Sequence, residues 1–286
     1  MKTESTVKRV WRIAYPVLLW FGIQYAVQIP YIAVLTVLNL ESIYEYGAEY
    51  LMEELLMAHV LPMTLVCNVI SIAVLSVFYF KDKKNYTENP LNRKGGADAF
   101  TVALTVLVGI GACLAGNMIT NLLVAVAVKF FGEGVLSGFQ QVSDSIASSG
   151  IVMQVITVVI VSPILEELLV RGLLYKRMRG YLSVFGAMAI SSAIFGIVHG
   201  NWVQFVYATA LGMLLAYVYE ISGNLLIPII FHMVANGVAT FMEYAPVSRA
   251  YEYLYETFFF PLLILTSAIT VCGILAIRFY QKAKRS

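Results

Sequence analysis

"IVMQVITVVIVSPILEELLVRGLLYKR", residues 151–177, decides how the rest of the chain is read. About 20 apolar residues suffice to cross the hydrocarbon core of a bilayer, and this run is longer than that. Within it stand two adjacent carboxylates, Glu166 and Glu167, with Arg171 four residues beyond the second. An ionised side chain at the bilayer centre costs roughly 2.5 to 3.5 kcal/mol on insertion scales, so these groups need compensation or a function. On a helix Glu167 and Arg171 share a face, whereas Glu166 points about 100° away, along the stripe of Val170 and Leu173. One carboxylate can be neutralised while its neighbour stays available.

Outward from this run the chain keeps the same character. Of its 286 residues 60% are hydrophobic and 13% charged, with the charges gathered between apolar runs. That composition belongs to an all-α, polytopic membrane protein. Runs near 10–38, 58–80, 99–129, 151–177, 183–200, 202–220, 222–242 and 257–279 predict about eight transmembrane helices, with Pro16, Pro30, Pro62, Pro163, Pro228 and Pro261 as kinks or ends. No soluble domain is visible. A net charge of +2 supplies no basic field for nucleic acid. Cys67, Cys113 and Cys272 lie singly in apolar runs without CxxC spacing, as small core residues do. The apolar stretch after Lys2, Lys8, Arg9 and Arg12 is too long for a signal-peptide core and shows no small-residue cleavage site, so it reads as a retained first span.

The connecting loops fix a sidedness. "KDKKNYTENPLNRK" at 81–94, "KRMRG" at 176–180 and "RFYQKAKRS" at 278–286 are basic and fall on one side with the basic N-terminus, which places that side and both termini in the cytoplasm. The opposite loops are acidic or nearly neutral, and "ESIYEYGAEYLMEEL" at 41–55 holds five glutamates. Residues 41–56 suggest an amphipathic surface helix with Tyr44, Tyr46 and Tyr50 at the interface. No internal repeat is evident, which weighs against a transporter built from matching halves.

Two of the three histidines, His199 and His232, also fall in apolar spans of the C-terminal half. His59 has no acidic or histidine partner in its span and reads as a packing residue. Asn236 lies one turn after His232 on the same helix face, so amide and imidazole can act on one group. Phe195 stands in the same relation to His199, where a ring can orient the imidazole and exclude water. Gly196 and Gly200 flank His199 and allow a neighbouring helix to approach closely.

Two chemistries suit this set, and both direct water at a carbonyl. In one, Glu166 and His199 act as general bases while His232 and Asn236 donate hydrogen bonds to the oxyanion. In the other, Glu166, His199 and His232 ligate zinc, which lowers the pKa of bound water to about 7. Serine or cysteine nucleophiles are disfavoured, because the chain has no GxSxG and no cysteine near either histidine in sequence.

"EELLVR" (166–171), "FGIVH" (195–199) and "HMVAN" (232–236) together form an EExxxR, FxxxH, HxxxN series that resembles the CPBP family of intramembrane proteases. This is the CAAX-protease and bacteriocin-processing group, also called Abi. The resemblance implies a four-helix core over about residues 151–242, with catalytic positions at Glu166, Glu167, Arg171, His199, His232 and Asn236, and a site that opens toward the cytoplasm. It also implies either a zinc metalloprotease or a metal-free glutamate and histidine mechanism. Eukaryotic members trim prenylated proteins, while similar bacterial proteins are associated with bacteriocin processing or self-immunity.

The expected organisation is therefore N-terminal helices with the amphipathic segment over 1–150, a catalytic core over 151–242, and a last helix with a basic tail over 243–286. The expected function is an intramembrane endopeptidase of bacterial type in the cell membrane, acting near the cytoplasmic side on a peptide or membrane-protein segment. The lipid bilayer is its other partner. A non-catalytic immunity or scaffold protein and an ion- or proton-coupled transporter are the rival readings.

Overall fold

In hydrocarbon no water bonds the backbone, so long apolar runs satisfy their amides by forming helices. The computed structural model describes residues 5–50, 54–85, 91, 96–243 and 245–284, and the regular structure among them is helical throughout. In order these helices are α1 (Thr6–Leu38), α2 (Leu40–Tyr46), α3 (Leu56–Asn85), α4 (Ala99–Phe131), α5 (Ser137–Ala147), α6 (Ile151–Met178), α7 (Val184–Ile197), α8 (Trp202–Ser222), α9 (Leu226–Met242) and α10 (Ala245–Ala283). Six of them, α1, α3, α4, α6, α8 and α10, are long and apolar enough to cross a membrane. The other two expected spans form apolar helices of 14 and 17 residues, α7 and α9. At 1.5 Å per residue these reach about 21 and 25 Å, less than the roughly 30 Å hydrocarbon core.

The last helix starts well before its expected boundary at 257 and bends at Phe258 (φ −127°, ψ 34°), three residues before Pro261, whose ring clashes with the preceding turn. The amphipathic segment is not one helix. α2 stops at Gly47, whose φ of +89° suits glycine, and one turn follows at Ala48–Tyr50. Residues 51–53, and most of the basic 81–94 loop, lie outside the described residues.

α6 is the hub. Leu168, Leu173, Leu174, Tyr175 and Met178 pack with Leu75 of α3, Ala187 of α7 and Tyr219 of α8. A second core joins Val108 of α4, Leu215 and Val218 of α8, Phe231 of α9 and Ile274 of α10. Lipid is as apolar as these side chains, so close packing and polar ties carry the association. Gly111 of α4 is an instance, because an added Cβ would lie 2.9 Å from the Thr266 carbonyl on α10. At the basic end, Asp98 caps α4 and accepts from Lys284 Nζ at 2.9 Å, which holds the Asp98 carboxyl down at about 2.

Candidate active site

The site starts from a distortion of α6. Pro163 has no N–H, and its ring crowds the carbonyl of Val159. The helix widens before it: over Val155–Val161 the turns are π-helical, and the Ser162 N–H reaches back five residues to the Thr157 carbonyl. A second π stretch, Leu168–Tyr175, follows the Ser162–Glu167 turn. Such widened turns recur at functional sites, and here the pair brackets the two glutamates.

The predicted Glu167 and Arg171 pair is formed at 2.8 Å with both side chains fully buried. Arg171 also donates from Nη2 to the Gly212 carbonyl at 3.0 Å, and its guanidinium lies 4.6 Å from the Phe195 ring centre. Glu167 has a second partner that the sequence did not disclose: His232 Nδ1 donates to the same carboxylate oxygen at 3.0 Å. With Nδ1 so engaged, Nε2 turns to Glu166 Oε2 at 3.6 Å. Glu166 stays 30% exposed while Glu167 has no exposure, so the two neighbours occupy different environments.

His199 lies just past α7, in a turn that Gly200 permits with φ +78°. Its Nδ1 donates to the Phe195 carbonyl at 2.7 Å, which leaves Nε2 as the free nitrogen. Phe195 is buried and stands edge-on to both imidazoles, with centroids 4.9 Å from His199 and 5.7 Å from His232. The aromatic position therefore braces Arg171 and both histidines. Gly196 brings α7 against α8, since a Cβ there would sit 2.2 Å from Thr209 Oγ1 and 2.7 Å from the Phe205 carbonyl. His59 donates to the Leu55 carbonyl at 2.8 Å and takes no part in the site.

Asn236 is engaged in an unexpected way. Its Nδ2 donates to the Val158 carbonyl at 2.9 Å. The Ser162 N–H, that carbonyl's usual α-helical donor, is bonded to Thr157, and the π-helical alternative at position 163 is a proline. Asn236 thus satisfies an acceptor stranded by Pro163 and ties α9 to α6 beside the glutamates. Gly212 was likewise missed from sequence: a Cβ there would meet Arg171 Nη2 at 3.2 Å and Ser192 at 3.0 Å.

Among the described residues no three His, Cys, Asp or Glu side chains come together as a metal-binding group.

The chain is thus a polytopic helical membrane protein whose helix core holds a buried ion pair, a partly exposed carboxylate and two oriented imidazoles. The profile of a family described as "Type II CAAX prenyl endopeptidase Rce1-like" matches residues 148–238, the segment that carries all six predicted site residues. The likeness to that family covers about a third of the chain. A Bacillus subtilis (strain 168) protein named "Putative membrane peptidase YdiL" is 33% identical over 100 residues, 35% of this chain and 41% of the relative. The alignment thus spans about two fifths of that relative's length. No solved structure matches the chain.

Proposed function

We propose that this chain is an intramembrane endopeptidase in which Glu166 and the two histidines direct water at a peptide carbonyl. The observation that carries the reading is the relay from Arg171 through Glu167 and His232 to Glu166, with contacts of 2.8, 3.0 and 3.6 Å. Its buried half is fixed by an ion pair, and its accessible half ends on a carboxylate. Water hydrogen-bonded to Glu166 loses a proton to that carboxylate, assisted by the free Nε2 of His199, and the hydroxide adds to the carbonyl carbon. The tetrahedral intermediate collapses, the C–N bond breaks, and the proton passes by way of His232 Nε2 to the leaving amine. Products are a carboxylate and an amine, and the site returns to its starting protonation.

This reading gives His232 proton transfer rather than the oxyanion role expected from its spacing to Asn236. One Asn236 amide hydrogen is held by Val158, and the second is available to the oxyanion. The mechanism proposed uses no zinc, because a carboxylate and imidazoles can activate water unaided. Chelator-treated, purified protein should keep its activity, and elemental analysis showing stoichiometric zinc whose removal abolishes turnover would reverse that assignment.

The test of function compares membrane peptides from cells with the wild-type protein and cells with Glu166→Gln. Fragments present with the first and missing with the second are expected, and they name the substrate. Identical peptide sets would remove the protease reading.

A further inference from the structure

We infer that the Tyr207 phenol is a further catalytic group, resting on the protease reading for its reaction: it donates its hydrogen to the oxygen of the scissile carbonyl while Glu166 sends water to the carbon. Gln204 and Asn201 are the positioning residues that aim it.

The direction of that hydrogen follows from the start of α8. Asn201 caps the helix, and its Oδ1 accepts from the Gln204 backbone N–H at 2.9 Å, so its amide nitrogen must donate. Asn201 Nδ2 gives one hydrogen to Gln204 Oε1 and lies 3.4 Å from the His199 carbonyl. With its oxygen taken, Gln204 turns its nitrogen to Tyr207, and Nε2 donates to the phenol oxygen at 3.2 Å. An amide nitrogen accepts nothing, so the one phenol hydrogen points elsewhere. Residues 201, 204 and 207 stand three apart, on one face of the helix start, and the chain of bonds runs from the His199 turn to the phenol. Tyr175, in contrast, spends its hydrogen on Glu220 at 2.7 Å.

The surroundings show what the hydrogen meets. Tyr207 is half-buried against the α6 core, and its phenol lies within electrostatic reach of the Glu166 carboxylate and of Cys113 on α4. Cys113 in turn meets the Ala239 backbone, three residues past Asn236 on α9. Phenol, carboxylate and the Asn236 turn therefore border one region. Among the described residues no hydrogen bond joins the phenol to Glu166, so its hydrogen is left for a third group. A neutral donor suits this place. A lysine or arginine there would pair with Glu166 and weaken it as a base, whereas a phenol adds no charge within the membrane. During addition the hydroxide forms the C–O bond and the carbonyl π pair moves to oxygen. Tyr207 keeps its proton throughout, and its hydrogen bond strengthens as the oxyanion forms.

The experiment uses the full chain in bilayer vesicles and, as substrate, a synthetic peptide spanning a cut that depends on Glu166. Tyr207→Phe should lower kcat about 10²- to 10³-fold, the usual cost of one oxyanion donor, with KM and melting temperature unchanged. Gln204→Met keeps the phenol but frees it to turn, so it should lose less. Adding Gln204→Met to Tyr207→Phe should cost nothing further, because the amide acts through the phenol. Tyr217→Phe is the control: Tyr217 is half-buried on the same helix, and its hydroxyl accepts from Arg278 at 3.1 Å. It should turn over like wild type. Full turnover by Tyr207→Phe, a loss confined to KM, or additive losses in the double variant would overturn the inference and leave the protease reading intact. If Tyr207→Phe does not fold, unchanged kcat in Gln204→Met overturns it. The absence of any cut dependent on Glu166 would remove the protease reading and the role of Tyr207 together.

Discussion

Glu166 and Glu167 are neighbours in sequence with opposite fates, and that difference is testable residue by residue. Glu166→Gln keeps shape and hydrogen bonding but removes the base, so a folded protein with turnover lower by about 10²- to 10⁴-fold is expected. Glu167→Gln leaves a fully buried Arg171 without its anion, and breaking a buried pair typically costs about 3 to 5 kcal/mol, so thermal stability should fall with activity. Changing Glu167 to Gln and Arg171 to Met together should recover part of that stability. If Glu166→Gln is the unstable variant and Glu167→Gln the stable, inactive one, the two roles exchange. The i, i+4 spacing made this pair legible in the sequence. It could not show that His232, 65 residues away, shares the Glu167 oxygen, because only tertiary packing of α9 on α6 brings them together.

Asn236 makes the complementary case. Its place in the HxxxN series was readable, but its bond to Val158 follows from Pro163 widening a helix on another span. Leaving that buried carbonyl without a donor costs about 1 to 3 kcal/mol, the expected loss for Asn236→Ala. In a Pro163→Ala background residue 163 regains an N–H, and the same substitution should cost less than half as much. Thermal unfolding of the four proteins in detergent measures the coupling, and equal costs in both backgrounds would show that the proline does not create Asn236's task.

Among the elements, α7 and α8 carry the tightest requirement. A Cβ at Gly196 cannot be accommodated without moving Thr209 or the Phe205 backbone. Gly196→Ala should therefore cost about 1 to 3 kcal/mol and shift the His199 turn, reducing activity with it. Gly116 on α4 has nothing within 4 Å of an added Cβ, and Gly116→Ala should leave melting temperature and activity unchanged. Equal behaviour of the two variants would count against close α7 and α8 contact as the basis of the site. Small residues beside His199 announced the contact in sequence. The shortness of α7 and α9 was not announced: a turn at His199 ends α7, and α9 begins only at Leu226, after the turn at Asn224.

At the scale of the whole molecule, apolar run length found the order of the apolar helices among the described residues, six of which are long enough to cross a membrane, since the demand for internally bonded backbone leaves few alternatives. Depth and access within the bundle were hidden, because they depend on which half of α6 is covered by its neighbours. The central claim is that this bundle holds water at Glu166 and turns it on a peptide bond, and isotope transfer tests it most directly. Membranes carrying wild-type protein or Glu166→Gln are incubated in heavy-oxygen water, and the released and retained peptides are sequenced by mass spectrometry. The account predicts fragments found only with wild type, each with one heavy oxygen in its new C-terminal carboxylate. Fragments that form equally with Glu166→Gln, or no labelled fragments with wild type, would contradict it.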